Sequence, residues 1–268
     1  MTDSIVDYMV NTFKSFFQNP GAWGIGLAIA FGAVWLACYR PPLFKKPWLW
    51  AVLVSSAFLT LAAICFIQIP LQFWAGQALS QFWSQEVLMR WILLAAIPSI
   101  LLTGLIQEGA KLVPVVVYWK QSGKNIDPKL GLAIGAVAGA GFGIFEAQYA
   151  LSGWTWEAVQ TGGFVALTGF FVRFFVVAAH TAFPALAGYG LAKGWGWQFY
   201  LIASGLHGLL NYSVVLWQAG LLTDLHMEIY IVVIAALVTA WALWLRWRKR
   251  AATIEPEISS PGELSNQQ

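Results

Sequence analysis

The stretch GLIQEGAK at residues 104–111 decides the fold, because it places a carboxylate and an ammonium inside a long apolar run. Glu108 and Lys111 are three residues apart, so on a helix they lie on the same face. An ionisable side chain at the centre of a membrane costs roughly 2.5–3.5 kcal/mol on insertion scales. The stretch therefore predicts a membrane helix whose polar face is buried against other helices.

The composition of the whole chain agrees with a membrane protein. Of its 268 residues 59% are hydrophobic and only 10% are charged, whereas soluble domains average about 45–50% apolar and about 25% charged residues. No segment has the alternating pattern of a membrane β-barrel, and the basic residues mark the ends of apolar runs rather than a nucleic-acid-binding face. The sequence predicts an all-α, polytopic membrane protein with no nucleic-acid partner.

Apolar runs of about 20 residues predict seven transmembrane helices within a domain at 22–247. Their predicted ranges are 22–39, 48–70, 88–119, 130–151, 161–192, 196–218 and 228–247. Proline predicts kinks at Pro98 and Pro184. Residues 1–21 and 71–87 are amphipathic and are predicted to lie in the membrane interface, and the Ser/Pro/Glu-rich end, 248–268, is predicted to be a disordered cytosolic tail.

The distribution of Lys and Arg predicts the orientation in the cell membrane. Eleven of them follow the first, third, fifth and seventh runs, and only Lys14 and Arg90 lie on the other side. Because basic loops stay in the cytoplasm, the N-terminus is predicted to be outside and the C-terminus inside. Cys38 and Cys65 fall near opposite faces, so no disulfide is expected between them.

Four polar residues lie at similar depth in four predicted helices. Counted from the cytosolic ends of their helices, Glu108, Glu146, His180 and His207 are 11–16 residues deep, which is roughly 17–24 Å. Each helix then presents one polar edge, since His207 and Asn211 are one turn apart. The depths predict one mid-membrane polar site with the helices around it.

The residues of this layer allow more than one chemistry. Two carboxylates and two imidazoles (Glu108, Glu146, His180 and His207) are a suitable ligand set for zinc. The same groups could instead activate water directly, with a carboxylate as general base and His207 with Asn211 at the oxyanion. Lys111 and Arg173 would orient or neutralise the carboxylates. A purely structural polar cluster and a transport pathway are the alternatives.

At these positions the chain resembles the PrsW-type intramembrane proteases, which are related to the CAAX prenyl proteases. The matching motifs lie between residues 104 and 212: QEGAK at 107–111, FGIFE at 142–146, His180, and HGLLN at 207–211. The resemblance implies hydrolysis of a peptide bond in a membrane-anchored protein or peptide. It also implies that Glu108 and Glu146 hold or activate water and that His180 and His207 act as ligands or oxyanion partners, with Asn211 supporting His207.

One residue departs from the family pattern. The family has a pair of glutamates where this chain has Gln107 and Glu108, and Gln is neither a base nor a good metal ligand. The non-catalytic, seven-span scaffold subunit of the gamma-secretase complex is similar in carrying a Gln-Glu pair before a basic residue. A membrane scaffold or receptor is therefore the alternative function, and self-association into a homo-oligomer stays open.

Overall fold

The computed structural model describes residues 2–18, 21–152 and 156–248. The described residues are helical almost throughout, without a strand. The elements are α1 (Thr2–Ser15), α2 (Ala22–Tyr39), α3 (Trp48–Ala63), a π-helical turn (Ile64–Gln68), α4 (Ile69–Phe82), α5 (Gln85–Arg90), α6 (Ile92–Ala95), α7 (Ile97–Gln121), α8 (Pro128–Ala150), α9 (Trp156–Ala192), α10 (Gly196–Gln218) and α11 (Asp224–Trp247).

Seven helical segments are long and apolar enough to cross a membrane, which confirms the predicted number of spans among the described residues. These segments are Ala22–Tyr39, Trp48–Phe82, Ile92–Gln121, Pro128–Ala150, Thr168–Ala192, Gly196–Gln218 and Asp224–Trp247. An odd number of spans puts the two ends of the domain on opposite membrane faces. Which face is cytosolic stays a prediction.

The second span is longer than predicted. Helix α3 continues through the π-helical turn into α4, so most of the segment at 71–87 extends the span at 48–70 in one helical run of 35 residues. At about 1.5 Å per residue this run is roughly 50 Å long, well above the roughly 30 Å of bilayer hydrocarbon. The predicted tail lies outside the described residues, apart from Arg248.

The helix breaks differ from a simple proline rule. Pro98 occupies the first turn of α7, after the short helices α5 and α6, so it starts a helix rather than bending one. Pro184 lies inside α9, and Pro114, which was not predicted as a kink, lies inside α7. The interruption of α9 is at Gly163, whose φ of 53° and ψ of −132° suit glycine because it lacks a Cβ atom.

Helix α8 is the most buried span and packs against α9 through glycine. A Cβ atom at Gly135 or Gly139 would lie 1.9 Å from the carbonyl oxygen of Pro184 or His180, respectively. Helices α7 and α10 meet in the same way, since a Cβ atom at Gly104 would lie 2.1 Å from the carbonyl oxygen of Ser204. Small residues allow this close approach where lipid provides no hydrophobic driving force.

Helix α1 lies within the segment predicted to be interfacial. Just after its end, Phe16 stacks on Tyr149 at 4.2 Å and on Phe145 at 5.6 Å between ring centroids. These two aromatic residues of α8 flank Glu146. The N-terminal segment is therefore packed beside the end of α8 that carries the second predicted carboxylate.

Candidate active site

Helix α7 supplies an ion pair that is completely buried. The Nζ atom of Lys111 lies 2.7 Å from Oε1 of Glu108, and both side chains are 0% exposed. The same ammonium lies 2.8 Å from Nδ1 of His180 on α9. It also lies 5.1 Å from the ring centroid of Phe142, at cation–π distance. Lys111 therefore joins α7 to α8 and α9 rather than only neutralising Glu108.

Helix α10 completes the carboxylate's surroundings. Nδ1 of His207 lies 2.6 Å from Oε1 of Glu108. Because a carboxylate only accepts hydrogen bonds, His207 donates from Nδ1, and Nε2 of its neutral ring keeps a lone pair. The rings of His180 and His207 meet edge to face at 5.2 Å, and Phe183 stacks on His207 at 5.4 Å. Aromatic rings thus hold both imidazoles in place.

The tautomer of His180 follows from its neighbours. An ammonium offers only donors, so Nδ1 of His180 accepts from Lys111 and the proton of the neutral ring is on Nε2. That atom lies 2.6 Å from Oε2 of Glu146. The distance is short, but the two groups do not have the geometry of a hydrogen bond. The Glu146 carboxylate is therefore close to the imidazole proton without being fully engaged by it.

The two carboxylates differ in exposure. The Glu146 side chain is 31% exposed, whereas that of Glu108 is 0% exposed and its Oε2 atom has no hydrogen-bond partner. An unpartnered carboxylate oxygen in the interior is costly unless something else satisfies it. Glu146 lies at the open side of the site and Glu108 at its closed side.

The structure brings together three candidate metal ligands. Glu108, His180 and His207 are all buried, and each offers one ligand atom within 4.8 Å of the others. A carboxylate and two imidazoles suit a divalent metal ion such as zinc, and the unpartnered Oε2 of Glu108 is consistent with that use. Lys111 touches two of the three residues at the positions a cation would contact. Glu146, predicted as a fourth ligand, is outside this group and touches His180 from the other side.

Two predicted residues are less engaged. Arg173 and Asn211 are both partly buried. Within the described part of the chain, Arg173 forms no ion pair within 4.0 Å, and no hydrogen bond of the Asn211 side chain is present. Asn211 follows His207 by one turn of α10, so it keeps its position next to the site.

Gln107 belongs to a polar network that sequence reasoning did not find. Its Nε2 atom donates to Oε1 of Gln68, at the end of the π-helical turn, over 3.1 Å. Gln68 in turn donates to Thr103 at 3.2 Å, and Gln72 donates to Thr103 and Ser99 at 2.9 and 2.8 Å. These five residues form the amide network between α4 and α7. A signal was available in the sequence, since Ser99, Thr103 and Gln107 recur every four residues on one face of α7.

The fold and this polar centre define a class: a seven-helix membrane protein with a buried Glu/His/His site inside the membrane. A family model for the PrsW family of intramembrane metalloproteases matches residues 44–241. The chain therefore belongs to this family, which confirms the predicted resemblance. No curated protein and no solved structure matches the chain.

Proposed function

We propose that this protein is an active intramembrane peptidase that cleaves a membrane-anchored protein or peptide. The observation that carries the proposal is the pairing of a fully buried Glu108/His180/His207 group with the partly exposed Glu146 beside it. A scaffold needs no second carboxylate facing a histidine at the open side of a buried site. Glu146 is placed where a substrate and water would arrive.

Glu108, His180 and His207 would hold a divalent metal ion, and we propose zinc. When bound, such an ion lowers the pKa of a bound water and polarises a carbonyl group. His207 would bind through Nε2, because its Nδ1 proton is held by Glu108 as in many metal-bound histidines. Lys111 would have to move away from His180 to free a ring nitrogen, so its position controls metal affinity.

Glu146 is proposed as the general base. Its carboxylate would accept the proton of the attacking water and return a proton to the leaving amine. Nε2–H of His180, which faces Glu146, keeps the carboxylate in position. The Lys111 ammonium and Asn211 would stabilise negative charge on the substrate carbonyl oxygen. Arg173 is proposed to add positive charge near Glu146.

The scaffold alternative rests on Gln107 and Lys111. Gln107 is committed to the amide network and carries no charge. The ammonium of Lys111 already neutralises Glu108, as expected for a structural bridge. If this reading holds, substitutions in the cluster change stability and partner binding, and no cleavage is found.

Cleavage is tested without knowing the substrate. The purified protein is reconstituted with solubilised membrane proteins of the expression host, and new N-termini are identified by terminal labelling and mass spectrometry. We expect cleavage products with the wild-type chain and none with Glu146→Gln, which keeps the size of the side chain. The matched control is Glu86→Gln, since Glu86 forms an exposed ion pair far along the chain from the site.

Metal content separates the roles of the two carboxylates. Elemental analysis is expected to give roughly one zinc per chain for the wild type and for Glu146→Gln, and a loss in Glu108→Gln and His207→Ala. Zinc-free, folded wild-type protein that still cleaves would overturn the metal assignment. Identical cleavage products from wild type and Glu146→Gln would overturn the peptidase mechanism.

A further inference from the structure

Basic and aromatic side chains gather where α2 and α11 end on the same membrane face. The guanidinium carbons of Arg40 and Arg246 lie 5.1 and 5.3 Å from the ring centroid of Trp247. Arg246 donates to the carbonyl oxygens of Tyr39 and Arg40, at 2.6 and 3.0 Å. Two cations therefore share one indole ring, and one of them is fixed by backbone carbonyls.

The cluster continues on the other side of α11. Arg248 donates to the hydroxyl of Tyr189 and lies 5.0 Å from the ring centroid of Trp244. Its own carbonyl oxygen accepts a hydrogen bond of 2.9 Å from Nζ of Lys129, at the start of α8. We call Arg40, Lys129, Arg246 and Arg248 the basic patch.

The arginines of the basic patch have no acidic partner. None of the three lies within 4.0 Å of a carboxylate among the residues the structure describes. Arg40 and Arg248 are exposed. Like charges held around shared rings without a counter-ion repel each other, so a bound anion would stabilise the arrangement.

We propose that the basic patch binds the phosphate group of an anionic phospholipid. The patch lies at span ends on the face that the Lys and Arg distribution predicts to be cytosolic, where anionic headgroups attract basic side chains. Trp244, Trp247 and Tyr189 are amphipathic rings that favour headgroup depth. Guanidinium groups match phosphate geometry, since they can donate two parallel hydrogen bonds. A lipid headgroup meets all three conditions, whereas a soluble anion needs only the charge.

Native mass spectrometry of the full chain tests this assignment, with lipid titrated into detergent-solubilised protein. The probes are phosphatidylglycerol, zwitterionic phosphatidylcholine and water-soluble glycerol phosphate. We expect phosphatidylglycerol to bind in preference to both others, and Arg40→Gln to weaken its binding about fivefold, the effect of removing one basic contact. Arg248→Gln is the second variant. Arg246 is kept, because its carbonyl contacts hold α2 to α11.

The control is Lys120→Gln, which removes one exposed positive charge from the last turn of α7. It is expected to leave phosphatidylglycerol binding unchanged. Equal binding of phosphatidylglycerol and phosphatidylcholine by the wild type would overturn the proposal, as would equal losses in Lys120→Gln and Arg40→Gln. Binding of glycerol phosphate as tight as that of the lipid would show a soluble-anion site instead. Melting temperatures of all variants confirm that each chain is folded.

Discussion

Substitution of Gly139 by alanine should disable the site without touching any of its polar side chains. The new Cβ atom would lie 1.9 Å from the carbonyl oxygen of His180 and 2.6 Å from Cγ of Pro184. Cβ atoms are essentially never found within 3.0 Å of such atoms, so α8 and α9 must separate locally by about 1 Å. The atom that has to move is part of the His180 backbone, which carries the imidazole with it.

The size of the effect follows from opposing contributions. Overpacking against rigid backbone costs about 3 kcal/mol, at the upper end of its usual range. Alanine is favoured over glycine in a helix by about 1 kcal/mol. The net loss of about 2 kcal/mol should lower the melting temperature by about 4–8 °C. A shift of about 1 Å in a catalytic group can lower activity about 100-fold, which is the expected loss of cleavage at a temperature where the variant is folded.

Gly205→Ala is the matched control, because a Cβ atom there meets nothing within 4 Å. Residue 205 lies on α10, two residues before His207, so the same substitution is made close to the other histidine. We expect unchanged cleavage and equal or higher stability. Thermal unfolding is followed by tryptophan fluorescence, and cleavage with a peptide spanning the strongest site found in the labelling experiment. Equal activity and stability of Gly139→Ala and wild type would refute the packing argument.

Three further predictions concern the charged and amide groups. Lys111→Met should destabilise the fold by about 3–5 kcal/mol, because it leaves Glu108 buried without its partner. Arg90→Met, which breaks a pair that is 70% and 82% exposed, should change stability by no more than about 1 kcal/mol; similar melting temperatures for both variants would contradict the buried bridge. A membrane-soluble carbodiimide should modify Glu146 well before Glu108, because only the former side chain is exposed; peptide mapping by mass spectrometry checks the order, and faster labelling of Glu108 would disprove it. Gln107→Glu should lower stability by about 1–3 kcal/mol, because a carboxylate cannot donate to the amide oxygen of its partner; unfolding in detergent measures the loss, and a stabilised variant would contradict the network.

The sequence predicted the helices well because lipid imposes a simple rule. Every backbone group in the bilayer has to be satisfied within its own helix, so long apolar runs become spans. Equal depth then predicted which helices carry the polar layer, since depth follows directly from residue number. The model accordingly places Glu108, His180 and His207 in contact.

Contacts that depend on helix rotation and packing could not be predicted in this way. Lys111 is three residues from Glu108, which predicted their pairing, but its bond to His180 requires α7 and α9 to meet at a particular angle. The π-helical turn that ends at Gln68 changes which residues of the second span face α7. Its partner Gln107 was therefore read from the sequence as a lost carboxylate, and its hydrogen bond was not anticipated.

The glycine contacts divide the site between two helix pairs. The first pair, α8 with α9, carries Glu146 and His180, and the second, α7 with α10, carries Glu108 and His207. Within each pair the two polar partners are 2.6 Å apart, and the backbones are too close to slide past each other. The direct hydrogen bond from one pair to the other is that of Lys111 with His180. Opening of the site is therefore a parting of two preassembled halves, and a metal ion held by residues from both would act as a clasp that closes them.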